Sequence, residues 1–104
     1  MSNFDSSVGA QITKQEAIDE CAALRNAHPN HIRSYSIGRD HVDAILAQAD
    51  CVGIRMYHTI DPKGGKNLLL VGINSGGDDM VDGYIANRAD VCPTLCPRPS
   101  ELNQ

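Results

Sequence analysis

The side chains richest in chemistry lie near the C-terminal end, in Cys92-Pro93-Thr94-Leu95-Cys96-Pro97. Two thiolates this close can hold Zn²⁺, which structural sites bind tetrahedrally through four Cys or His ligands. The common zinc knuckle has two residues between its cysteines, whereas this pair has three. Further ligands must come from Cys21, Cys51 or the histidines His28, His31, His41 and His58, and only His28 and His31 make a second close pair. The spacing also departs from the two-residue dithiol motif of thioredoxin-like centres, which opens a helix. A surface disulfide, or two thiols packing a tail onto the body, is the plainer reading of Cys92 and Cys96. No cofactor is therefore the first expectation and zinc the alternative. Cys21 and Cys51 fall on apolar faces and read as small buried hydrophobes.

Three carboxylates, Asp78, Asp79 and Asp82, follow Gly76-Gly77. Such a group suits Mg²⁺ or Ca²⁺ at a strand end, while Asp in a tight turn ordinarily serves its own local hydrogen bonds. His58 with Asp61 or Asp79 has the composition of an acid–base pair. Nothing in the spacing joins them, and no GxSxG elbow or HExxH helix is present. No catalytic residue is assigned. Arg55 and Tyr57 are better suited to recognition: guanidinium takes carboxylate or phosphate bidentately, and Tyr offers contact area at low entropic cost. With Thr59 they form the polar parity of one strand and are the expected binding residues. The alternative is a solvated sheet face.

These residues need a scaffold, and Cys51 to Asn74 supplies it. Val52, Ile54, Met56, His58 and Ile60 alternate with Gly53, Arg55, Tyr57 and Thr59, the period of a half-buried strand. Leu68 to Ile73 is apolar on both parities, as in a central strand. Asp61-Pro62-Lys63-Gly64-Gly65-Lys66 between them is turn chemistry. Upstream, Thr13 and Glu16 have capping-box spacing for a helix carrying Ala17, Ile18, Cys21, Ala22, Leu24 and Ala27 as its apolar stripe. Pro29 ends it. His31 to Ile37 reads as a strand, and Asp40 as the cap of a second helix with Val42, Ile45, Leu46 and Ala49 on its buried face. Met80 to Ala86 fits a third long strand or a brief helical turn. Three prolines between Pro93 and Pro99 predict an extended surface segment.

The expected fold class is α+β: an antiparallel sheet of three to four strands with two helices packed on one face. The expected layout is a flexible arm at 1–11, one α+β domain at 12–91, and a Pro/Cys-containing C-terminal segment at 92–104. At 104 residues the chain can bury a core alone. With no Trp and one Phe, that core is aliphatic. A net charge of −4 with scattered Lys and Arg argues against nucleic acid as a partner. No stretch approaches the ~20 apolar residues of a membrane span. The N-terminus has no signal-peptide pattern, so the expected location is cytoplasmic, with reduced cysteines unless they bind metal or cycle.

CVGIRMY, NLLLVGIN, the DDM turn and CPTLC together resemble a group of small uncharacterised bacterial α+β proteins. That group has a GIRxY strand, an Asp-Met turn and a C-terminal CPxxC-like segment. The resemblance spans about residues 40 to 96 and implies the fold class but no activity. It singles out Gly53, Ile54, Arg55, Tyr57, Asp79, Met80, Cys92 and Cys96. Taken together, the sequence predicts a small non-enzymatic binding domain that self-associates as a homodimer through its sheet face or binds another protein. A zinc or thiol-redox protein using the C-terminal cysteines is the alternative.

Overall fold

The computed structural model describes residues 4–103. Residues 1–3 of the expected arm and Gln104 of the C-terminal segment lie outside the described residues. In chain order the elements are α1 (Lys14–Ala27), β1 (Ser34–Ser36), α2 (Arg39–Leu46), β2 (Cys51–Ile60), β3 (Lys66–Asn74), β4 (Ile85–Ala86) and β5 (Asp90–Cys92). Two helices with antiparallel pairing in the main sheet make this an α+β protein. The chain groups into two compact units, residues 4–8 with Ser36–Ala89 and Gly9–Tyr35 with residues 90–103. No helix among the described residues is long and apolar enough to cross a membrane.

The first unit is built on the β2–β3 hairpin. Asp61 closes its turn, with Oδ1 accepting the backbone N–H groups of Lys63 at 2.8 Å and Gly65 at 2.9 Å. Gly64 takes φ +88° there, a region open to glycine at little cost. The register runs from Ile60 opposite Lys66 to Gly53 opposite Ile73, and β4 adds to the far side of β3. A register shift between Cys51 and Gly53 breaks the simple alternation. Cys51, rather than Val52, packs with Ile54 against the cluster of Ile45, Leu70 and Ala86. A bulge of this kind brings an extra residue into one strand and re-aims its side chains.

Helix α2 covers this cluster through Ile45, which is fully buried. Its cap residue is Gly38 with no side-chain cap bond, and Asp40 sits in the first turn. The helix ends at Leu46, itself exposed, so the expected fourth buried position at Ala49 falls outside it.

In the second unit Thr13 and Glu16 form the reciprocal capping box at the start of α1. Ala17, Ile18, Cys21, Ala22 and Arg25 make its half-buried stripe, while Leu24 is 42 % exposed. Arg25 thus takes the place expected of Leu24. Its Nη1 donates to the Leu102 carbonyl at 2.9 Å, and a long methylene stem buries readily while its head is satisfied. Strand β1 pairs with β5, not with the main sheet. The Arg33 N–H donates to the Cys92 carbonyl at 2.8 Å beside that pairing. The long strand expected at 80–86 contracts to Ile85–Ala86, because the segment before it turns and is held by its own loop bonds.

Candidate functional site

The expected binding residues Arg55, Tyr57 and Thr59 do share one face of β2, and the fold fastens all three across β3. Pairing places Arg55 beside Val71 and then Ile85, and Gly53 beside Ile73 and then Asp79. Laterally paired residues share a face, so a contact from Arg55 to Asp79 must pass over β3. Arg55 Nη1 lies 2.6 Å from Asp79 Oδ1 and donates also to the Gly77 carbonyl at 3.2 Å. The Tyr57 hydroxyl donates to the other Asp79 oxygen. Thr59 Oγ1 accepts from Asn87 Nδ2 at 3.3 Å, and the same amide reaches the Leu68 carbonyl at 3.0 Å. Beneath these straps Val71 and Ile73 are almost fully buried.

The electrostatics follow from that geometry. Hydrogen bonds from the Tyr57 hydroxyl and the Arg55 guanidinium hold the Asp79 carboxyl below its usual range. The same carboxylate raises Tyr57, whose O–H it needs as a donor, and raises Arg55 by pairing with its cation. At neutral pH the trio is one anion shared between a cation and a neutral phenol. Such an arrangement fixes a loop, and it fills the carboxylate seat of Arg55 from within the chain.

The loop being fixed is the Gly-Gly-Asp-Asp turn. Its organiser is Asn74, whose Oδ1 accepts the N–H groups of Gly76 and Asp78, each at 3.0 Å. Asn67 plays a comparable part lower on β3, bonding both the carbonyl and the N–H of Ala89 at 3.0 and 2.9 Å. The Met80 N–H donates to the Gly72 carbonyl, and Ile73 bridges Asp79. The far edge of β3 is therefore covered along its length by β4, Asn67 and the 74–80 loop. Neither asparagine stood out in the sequence reading. Their signal is that Asn is disfavoured in strands and supplies backbone-like hydrogen bonds when found there.

The near edge differs. In the order β2–β3–β4, β2 is terminal, and its outer edge takes no strand partner among the described residues. Met56 is 61 % exposed and Ile60 71 % exposed on the parity that was expected to face the helices. The reason is length: eight residues of α2 span ~12 Å, against ~33 Å for ten residues of β2. Only the Cys51–Ile54 end is roofed.

The remaining candidates separate. Cys92 and Cys96 are joined as a disulfide with Cα atoms 4.7 Å apart, Cys92 buried and Cys96 exposed. In that form neither sulfur is the thiolate that zinc requires. Among the described residues no group of three or more His, Cys, Asp or Glu converges as a metal site would. Cys21 and Cys51 are free thiols, half-buried rather than buried. Asp79 faces Arg55 and Tyr57, and Asp82 lies exposed on the loop. His58 is exposed on β2 opposite Leu68. Compared with known proteins, the chain matches no family model, no curated protein and no solved structure. The resemblance to the GIRxY group thus rests on the short motifs alone.

Proposed function

We infer that this protein is a non-enzymatic binding domain that pairs with a second copy of itself along β2. One observation carries the reading: the sheet covers one of its edges piece by piece, while the ten-residue strand at the other edge has no strand partner among the described residues. Open edges of that length present a row of backbone donors and acceptors ready for another strand. Apolar Met56 and Ile60 beside it add area that favours leaving water.

Self-pairing has a self-consistent register. A two-fold axis at Met56 sets Arg55 against the partner's Tyr57 and Ile54 against the partner's His58, with the two Met56 side chains meeting on the axis. An axis at Arg55 sets two guanidiniums face to face and is disfavoured. Such an interface is isologous and closes as a dimer. The expected self-association through the sheet face is thereby moved to the strand's edge, with Arg55 and Tyr57 at the seam. Native mass at high micromolar concentration tests this. Dimer is expected for the wild type and monomer for Met56→Lys, since a lysine on an exposed edge blunts pairing without touching the core. A monomeric wild type, or full dimerisation of both Met56→Lys and Ile60→Lys, overturns it.

A second reading rests on the Cys92–Cys96 disulfide. Cys96 is an exposed residue, and attack on the bond by an external dithiol would reduce the pair to two thiols as the dithiol is itself oxidised. A cycling couple gives a reduction potential between about −120 and −270 mV. A value below about −300 mV marks the bond as structural.

A further inference from the structure

The second unit contains a cleft of about 220 Å³ that the β2 reading leaves unused. Cys21, Leu24 and Arg25, at i, i+3 and i+4 on α1, form one wall with His28, the residue that caps the helix C-terminus. Ile32 and Leu102 add apolar lining. The Arg25 bond to the Leu102 carbonyl fixes that guanidinium at the cleft and uses one of its five N–H donors. Arg33 lines the same space, where Glu20 is the one carboxylate among the described residues. His31, also on the lining, has Nδ1 2.7 Å from the Ile32 carbonyl. A carbonyl only accepts, so Nδ1 carries the proton there. In a chain of net charge −4, two guanidiniums, those of Arg25 and Arg33, thus line one apolar hollow.

We propose that the cleft binds a small amphipathic monocarboxylate, an aliphatic acid of about six to eight carbons. The volume admits roughly seven groups of about 30 Å³, the share of one water molecule and close to that of a methylene. The chain lies against Leu24, Ile32 and Leu102, and the carboxylate pairs with Arg25, whose planar fork matches it in geometry and charge. An alkylamine of the same length meets like charge instead and is rejected.

Amide chemical-shift titration of the full chain with octanoate, and separately with octylamine, tests the proposal. Octanoate is expected to shift the Cys21, Leu24 and Ile32 amides saturably at millimolar concentration, and octylamine to leave them in place. Arg25→Gln is expected to weaken octanoate at least tenfold. Leu24→Glu, at an exposed position that tolerates it, puts a carboxylate in the cleft and is expected to weaken binding as strongly. That second variant keeps the test decisive if Arg25→Gln disturbs α1. Absence of octanoate shifts, equal binding of octylamine, or wild-type affinity in Leu24→Glu overturns the proposal. Because the cleft and β2 lie in different units, none of these outcomes bears on dimerisation.

Discussion

Asp79 decides what Arg55 and Tyr57 can do, because both give their polar atoms to its carboxylate. The consequence is a pH window. A carboxyl held below its unfolded value of about 3.9 stabilises the fold above that value, and the contribution is lost as pH falls through the lower folded pKa. A phenol raised above about 10 contributes fully below that value, and the contribution is lost as pH rises through its higher folded pKa. The latch therefore holds across neutral pH and opens at both extremes. Thermal melts of Asp79→Asn are expected to fall below the wild type at pH 7 and to converge with it in acid, once the pH has fallen through the lowered pKa of Asp79. Identical melting at pH 7 would remove the latch from the account of stability. Release of the same latch frees Arg55 and Tyr57 at the proposed seam, so Asp79→Asn is also expected to change the affinity of the proposed dimer.

At the scale of elements, β2 is positioned by what each end meets. Near its start a Cβ on Gly53 would stand 2.5 Å from the Phe4 ring, so glycine there is a seat for that ring. Gly53→Ala is expected to displace Phe4 at a cost of about 1–2 kcal/mol, similar to Phe4→Ala. In denaturant unfolding the double variant should be no worse than either single one. Additive losses would show that the ring is not seated on Gly53. On the opposite face Ile45→Ala is expected to cost about 2–5 kcal/mol, as α2 has no other fully buried side chain. The hairpin, both helices and the capping box were legible because periodicity and turn residues act locally. Three features were hidden for a common reason. The Cys51–Gly53 bulge, the burial of Arg25 and the transfer of β1 to β5 each depend on a partner distant in sequence. So does Asp79: its type suggested a turn or a metal, and only the β3 register brings it to Arg55 and Tyr57.

At the scale of the whole molecule, the proposed dimer would bring together two copies that each carry a net charge of −4. Their mutual repulsion is screened by salt, with a Debye length of about 30 Å at 0.01 M and about 8 Å at 0.15 M. Self-association driven by backbone pairing and apolar area is thus expected to tighten as ionic strength rises over that range, as read by sedimentation equilibrium. Weakening would point to an interface held by opposite charges, which the Met56-centred register does not contain. The most direct measurement is amide hydrogen exchange across β2 as a function of protein concentration. A protein that pairs through this edge shows protection in Ile54–Ile60 that grows with concentration, while β3 stays constant and Met56→Lys abolishes the growth. Exchange in β2 that is the same at every concentration, or dimer-dependent protection confined to other elements, contradicts it.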